Sequence, residues 1–137
     1  MGKLSAHFDA REFNCPCCGV SRTSSALIAG LEKLRALKFP NGLSIVSGYR
    51  CPKYNGSLVH AATASQHQYG TAADIFPGAT LSEVKSLGAF SGIGWKQIGN
   101  DQMVIHVDVR HAGVNNTTGS SPKSPATWEY LQDGSRR

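Results

Sequence analysis

Two histidines and one aspartate are the residues of this sequence that could together bind a divalent metal. His67 and Asp74 are separated by six residues, and His106 follows about thirty residues later. Two imidazoles and one carboxylate form a ligand set of catalytic zinc, which keeps its fourth position for water. The alternative is a pair of hydrogen-bonded structural histidines, and spacing alone leaves both interpretations open.

The residues around the first pair predict how it is positioned. Gly70 interrupts the segment between His67 and Asp74, which predicts a tight turn. A short strand over residues 71–75 then carries the aspartate back toward the histidine. A loop and a strand therefore present the two side chains to one point.

A second strand is predicted over residues 104–109, where valine and isoleucine surround His106. Side chains two residues apart in a strand share a face. Asp108 is therefore expected to point the same way as His106, toward a site rather than into a packed layer.

Three segments resemble the motifs of one peptidase family. They are Ser47-Gly48-Tyr49-Arg50, Ser65-x-His67-x-x-Gly70-x-Ala72-x-Asp74 and Ile105-His106-Val107-Asp108. They are similar, in the same order, to segments of the zinc peptidases that include D-alanyl-D-alanine carboxypeptidases and the L-alanyl-D-glutamate endopeptidases of phage endolysins. The resemblance covers about residues 4–110. It implies one zinc ion held by His67, Asp74 and His106, and hydrolysis of an amide bond in peptidoglycan stem peptides.

The resemblance also implies a substrate-binding role for Arg50, whose guanidinium can bind a carboxylate in a bidentate fork. The alternative for Arg50 is a surface ion pair, which is common and weak. Tyr49 and Ser65 are further candidates. Tyr49 is expected to wall a cleft, unless it belongs to the core as such aromatic residues often do. Ser65 is expected to cap or hold the loop of His67, although a plain turn serine would look the same.

Amide hydrolysis also requires a carboxylate that accepts a proton from water. Several relatives carry Glu or Asp three residues before the last histidine, but here that residue is Met103. Asp108 is the preferred candidate because of its side-chain direction, and Asp101 is the alternative. Asp108 could instead hold a ligand or Arg110. If neither carboxylate serves, the chain would be a zinc-bearing module of the hedgehog kind that binds a wall peptide or a protein without cutting it.

Four cysteines raise a separate question. Cys15 and Cys18 have the spacing of metal ligands, and Cys51 or a histidine could join them, but a second CxxC pair is missing. The alternative is a set of buried thiols, or a disulfide to Cys51 that pins the N-terminal segment. From sequence the second interpretation is preferred.

Composition fits one soluble domain. The 137 residues, 40% hydrophobic and 17% charged, suffice for a single core, and no apolar run is long enough to cross a membrane. The net charge of +5 suits an anionic cell wall, whereas the scattered Lys and Arg residues do not predict a nucleic-acid surface. The N terminus lacks a signal peptide's apolar core. We therefore expect a monomer made in the cytoplasm that reaches the wall by phage-type release or on a virion.

The fold is expected to be α+β: a small, mostly antiparallel sheet that carries the ligands, packed against helices, as in hedgehog and D-Ala-D-Ala peptidases. One domain, 1–137, would comprise an N-terminal arm (1–22), a polar loop (111–126) and a C-terminal tail (127–137). Helices are predicted over residues 27–38, 52–61 and 81–89, the first behind the sheet.

Overall fold

A five-stranded sheet forms the centre of the fold. The computed structural model describes residues 2–58, 65–76, 78–113 and 116–136. The strands are β1 (Ile45–Ser47), β2 (Ala72–Ile75), β3 (Gly92–Ile98), β4 (Asp101–Asp108) and β5 (Ala126–Tyr130). Their order across the sheet is β1-β2-β4-β3-β5, and every neighbouring pair is antiparallel except β3 and β5.

The long helix α1 (Ser25–Lys38) covers the back of this sheet. Ser24 caps its first turn, because the Ser24 hydroxyl accepts a hydrogen bond from the Ala26 N–H at 3.2 Å. One helix face is apolar and buries Leu27, Ile28, Leu31 and Leu34 in the main core. The predicted helix over residues 27–38 is thus confirmed.

Two shorter α-helices follow α1 in the chain. Helix α2 (Pro52–Ser57) confirms the start of the helix predicted over residues 52–61, but it is shorter than predicted, because Leu58 is already extended. Residues 59–61 lie outside the described residues. Helix α3 (Leu81–Leu87) confirms the third helix. It begins with a capping box, in which Thr80 and Glu83 each bind the other's backbone N–H.

The core lies between α1, α3 and one face of the sheet. Its sheet residues include Ile75, Ile93, Val104 and Val107. In the predicted arm, Phe8 and Phe13 are also fully buried, with their rings edge to face. The arm therefore packs on the body, as expected from its apolar anchors.

An irregularity in β4 decides what faces away from the core. Gly94 pairs with His106 and Trp95 with Val104, so that Ile105 is an extra residue on β4. Such a bulge interrupts strict alternation. Val104 and Val107 both enter the core, while Ile105 and His106 both line the opposite face.

The α+β fold with a mostly antiparallel sheet is confirmed. The end of the predicted polar loop and the start of the predicted tail form the edge strand β5 (Ala126–Tyr130), which runs parallel to β3. The polar segment before it includes a short 3-10 turn, Arg110–Ala112. In the part of the chain that is described, no helix is both long and apolar enough to span a membrane.

Candidate metal centre

Adjacent strands and a short turn bring the three predicted ligands together. Asp74 on β2 and His106 on β4 are direct partners in the strand register. His67 comes from the 3-10 turn Gln66–Tyr69, which ends at Gly70 in the left-handed conformation (φ 71°). A side chain at Gly70 would also meet the Arg22 carbonyl oxygen at 2.3 Å from its Cβ, so glycine is required there.

The ligand atoms converge on one carboxylate oxygen. His67 Nε2 and His106 Nδ1 each lie 3.1 Å from Asp74 Oδ1. One donor atom from each of the three residues lies within 4.8 Å of the other two. Both imidazoles are buried, and the rings meet edge to face with centroids 5.2 Å apart.

In each ring the nitrogen that points toward Asp74 is called the inner nitrogen, and the other, outer nitrogen donates a hydrogen bond to an acceptor. His67 donates its Nδ1–H to the Gly48 carbonyl at 2.7 Å. His106 donates its Nε2–H to the Asp108 carboxylate at 2.9 Å. In the neutral form of each ring, which is the form that binds metal, these bonds place the proton on the outer nitrogen, so that the inner nitrogen presents a lone pair toward Asp74. Two imidazole lone pairs and one carboxylate oxygen fit the donor set of a catalytic zinc.

Electrostatics favour a cation at this point. Burial raises the pKa of Asp74, but the two histidines outweigh burial and hold that pKa well below its usual range. Burial lowers the pKa of His106, whereas hydrogen bonds to Asp108 and Asp74 raise it to about 10. Burial lowers the pKa of His67. The site thus stabilises positive charge between the rings, carried by a proton or by a metal ion.

Arg50 holds the other oxygen of Asp74. Its Nη2 donates to Asp74 Oδ2 at 2.6 Å, and its Nε donates to the Ser47 hydroxyl at 3.1 Å. The side chain is 15% exposed and lines the cleft above the ligands. The ion pair that sequence analysis gave as an alternative is present, and it is made with a candidate ligand rather than on the surface.

Ser65 and Tyr49 have different placements. The Ser65 hydroxyl caps the turn of His67 by accepting its backbone N–H at 3.2 Å, and Ser65 lines the cleft. Tyr49 is buried, is absent from the described cleft lining, and its ring lies 5.5 Å from the Arg22 guanidinium. Tyr49 therefore takes the core position that was its alternative, because it and Arg50 are successive residues of an extended segment and point to opposite sides.

Neither candidate base lies in the cleft. Asp108 is fully buried, and both its oxygens bind Arg110, through Nε at 2.8 Å and Nη2 at 2.7 Å. Burial raises the pKa of Asp108, but Arg110 and His106 keep it well below its usual range. Asp101 is exposed at the far end of β4, five residues from His106, or about 17 Å along the strand. Asp108 thus shares the face of His106, as expected, but it takes its alternative position, in which it holds His106 and Arg110 and does not line the cleft.

Sequence analysis missed a group of cleft residues from β3, β5 and the C-terminal segment. The cleft, of about 400 Å³, is lined by Lys96, Tyr130 and Arg136 in addition to the ligands. Trp128 packs its ring 5.1 Å from that of His106, and Arg136 lies 4.4 Å above the Trp128 ring. The two aromatic residues alternate along β5. That alternation, in a segment interpreted as a tail, was the signal that could have revealed them.

A comparison with sequence models of known families shows to which family this chain belongs. The sequence model described as Peptidase M15 matches residues 6–108, which include the three candidate ligands and Arg50. The chain belongs to the Peptidase M15 family. Members of this family are metallopeptidases that act on peptidoglycan peptides. A search of curated proteins finds no match. The M15 match ends at Asp108, so β5 and its aromatic residues lie outside it.

Proposed function

We propose that this M15 chain is a zinc-dependent peptidase that hydrolyses an amide bond in peptidoglycan stem peptides, with His67, Asp74 and His106 as the zinc ligands. One observation carries the proposal. The inner ring nitrogens converge on one oxygen of Asp74 while each outer nitrogen is fixed by an acceptor. That arrangement prepares lone pairs for a metal in a cleft open to substrate.

Zinc bound there would supply a Lewis acid that polarises the scissile carbonyl and lowers the pKa of water. Other residues of the chain hold the three ligand side chains in place. The Gly48 carbonyl and Asp108 hold the two rings, and Arg50 holds Asp74. Arg50 is also placed to bind a substrate carboxylate, because its contacts with described residues use only two of its five N–H donors.

The charge of the cleft supports a carboxylate-rich substrate. Arg50, Lys96 and Arg136 line it, and Asp74 is the one carboxylate among its described lining residues. Stem peptides carry several carboxylates, which such a cleft attracts. An endopeptidase and a D,D-carboxypeptidase both fit this description, and so does either an endolysin or a wall-remodelling role. The cell wall is the proposed place of action.

A second function is favoured by the same lining. Besides Asp74, no described residue of the cleft offers a carboxylate to accept a proton from water. A zinc-bearing module that binds a wall peptide or a protein partner without cutting it would need no such group. This is the alternative to the peptidase.

The two functions are separated by one experiment. Zinc-loaded protein is incubated with purified peptidoglycan, and new amino termini and wall-bound protein are measured together. The peptidase is expected to release new termini, and His67→Ala and chelator-treated protein are expected to release none. Tight zinc and saturable wall binding without new termini would favour the binding module.

A further inference from the structure

Three cysteines form a second cluster of metal-ligand type, separate from the group of His67, Asp74 and His106. The Sγ atoms of Cys15, Cys18 and Cys51 all lie within 4.8 Å of one another. Two belong to the N-terminal arm, and the third directly follows Arg50 in sequence. We propose that these three thiolates bind a structural zinc ion, distinct from the catalytic one, that fastens the arm to the segment carrying Arg50.

The backbone of the arm is already folded around this point. Gly19 donates its N–H to the Cys15 carbonyl at 2.8 Å, and Cys15 donates its N–H to the Val20 carbonyl at 2.9 Å. Gly19 has φ 72°, which lets the chain reverse here. The turn brings the sulfur of Cys18 back beside that of Cys15. CxxC pairs in structural zinc sites have the same spacing.

Backbone donors aimed at the sulfurs favour the thiolate form that zinc requires. Cys51 donates its N–H to Cys15 Sγ, and Tyr54 donates its N–H to Cys51 Sγ, both at 3.4 Å. The thiolate is the form of cysteine that binds zinc.

The position of the cluster indicates what the proposed ion would stabilise. The segment Gly48–Cys51 contacts both the arm and the histidine site. Tyr49 donates its N–H to the Phe13 carbonyl at 2.8 Å, while Arg50 donates its N–H to the His67 carbonyl at 3.0 Å. A metal bound by Cys51 would therefore fix the same segment that orients His67 through Gly48 and Asp74 through Arg50.

The exposure of each cysteine side chain decides which substitutions can test the site. Cys15 is buried, whereas Cys17 and Cys18 are exposed. Replacing Cys18 removes a proposed ligand without opening a core cavity. Cys17 is adjacent in sequence and its thiol contacts Cys51, but it lies outside the group of three, so Cys17→Ser is the matched control for loss of a nearby thiol that is not a ligand. A disulfide to Cys51 is the competing state of these thiols, and the measurement must distinguish it.

The experiment replaces zinc by Co²⁺ in protein purified under reducing conditions. Only thiolate ligands give an intense sulfur-to-cobalt charge-transfer band in the near ultraviolet, so this band detects the cysteine site whatever happens at the histidine site. We expect the band in wild type, His67→Ala and Cys17→Ser, and its loss in Cys18→Ser and Cys51→Ser. Zinc analysis should show one ion fewer per chain in Cys18→Ser than in Cys17→Ser.

Three results would overturn the proposal. The first is a reduced wild-type protein without the band. The second is a Cys17→Ser variant that loses the band as fully as Cys18→Ser. The third is a wild type in which mass and thiol titration show a disulfide that persists when metal is supplied under mild reduction. Peptidoglycan hydrolysis plays no part in this readout, so failure of the proposed peptidase activity leaves the test intact.

Discussion

His106 and Asp108 lie two residues apart on β4 and bind each other, with His106 Nε2 at 2.9 Å from Asp108 Oδ2. Arg110 binds the same carboxylate on both oxygens. The carboxylate is therefore fully occupied and screened from the cleft. Its role is to hold the imidazole so that Nδ1 faces Asp74. Replacing Asp108 should therefore have a different effect from replacing a general base.

Asp108→Asn is predicted to weaken zinc binding rather than to abolish the chemical step. The amide keeps the shape of the side chain but loses the charge that fixes the His106 tautomer. Loss of such a partner typically costs about 10–100-fold in metal affinity. With zinc at saturation, kcat should fall by less than about tenfold. Zinc titration with a competing chelator and peptide hydrolysis at high zinc measure the two effects.

Asp101→Asn is the matched control, because it makes the same chemical change on the same strand at an exposed position. It should leave both zinc affinity and kcat unchanged. If Asp108→Asn keeps full zinc affinity and loses about 10²–10⁴-fold in kcat, Asp108 is the base. A similar kcat loss in Asp101→Asn would move that role to Asp101.

Gly92→Ala is predicted to destabilise the fold by about 1–3 kcal/mol, the usual cost of overpacking. Gly92 pairs with Asp108 across β3 and β4, and a Cβ at Gly92 would lie 2.2–2.4 Å from the Asp108 carboxyl group. The carboxylate is held by Arg110 and His106, so it cannot move aside without breaking those bonds. Urea unfolding measures the stability change.

Gly56→Ala controls for the loss of glycine as such. Gly56 lies in α2, and a Cβ there would meet nothing within 4 Å. Alanine should stabilise this helix position by about 0.5–1 kcal/mol. Equal unfolding midpoints for Gly92→Ala and wild type would contradict the close packing of Asp108 against β3.

Sequence analysis predicted the parts of the site that depend on local patterns. The turn at Gly70, the two strands that carry Asp74 and His106, and the helix behind the sheet all follow from residue spacing and capping, whereas the direct pairing of Asp74 with His106 was seen only in the structure. The choice between the two roles of Asp108, a base or a partner of His106 and Arg110, did not follow, because it depends on packing against Arg110 and Gly92 that exists only in the folded sheet. Metal occupancy of the proposed ligands remains a prediction.

The cleft wall shows the same limit. Trp128 and Tyr130 lie on an edge strand that is separated from β3 by about thirty residues of chain. The alternation of Trp128 and Tyr130 is a local signal of a strand, but the pairing of that strand with β3 depends on tertiary contacts that a sequence pattern does not reveal. The bulge at Ile105 was missed for the same reason, because it arises from the register between two strands.

Arg50→Lys is predicted to impair recognition of substrates with a free carboxylate. Lysine keeps the positive charge beside Asp74 but lacks the fork that can hold Asp74 and a substrate carboxylate together. The loss of charge-assisted hydrogen bonds corresponds to about a tenfold or larger rise in KM. The measurement compares a stem-peptide analogue with its carboxyl-amidated form.

The amidated peptide controls for other effects of the substitution, because only the peptide with a free carboxylate should bind Arg50→Lys more weakly than it binds wild type. Arg11→Lys, at an exposed arginine, serves as the control variant. It should leave the KM for the stem-peptide analogue and the KM for its amidated form unchanged. If Arg50→Lys raises both KM values equally, Arg50 acts through Asp74 alone and does not contact the substrate carboxylate.

Glu32 provides a pH-dependent link between the arm and α1. Its carboxylate accepts hydrogen bonds from the Ser5 hydroxyl at 2.5 Å and from the His7 backbone N–H at 3.0 Å. The bond from Ser5, followed by the contacts with His7, lowers the pKa of Glu32 from 4.5 to about 2, although burial opposes this. A pKa depressed in the folded state stabilises the protein fully above pH 4.5, and this stabilisation is lost as pH falls toward 2.

Glu32→Gln should therefore be less stable than wild type near pH 7, by about 1 kcal/mol because solvent screens a partly exposed group. The difference should shrink as pH falls from 4.5 toward 2, where both proteins carry an uncharged side chain at this position. Thermal unfolding at several pH values across this window measures it. Asp101→Asn controls for removal of one negative charge elsewhere and should run parallel to wild type. A Glu32→Gln curve that also stays parallel to wild type would show that the arm contact contributes no stability through this carboxylate.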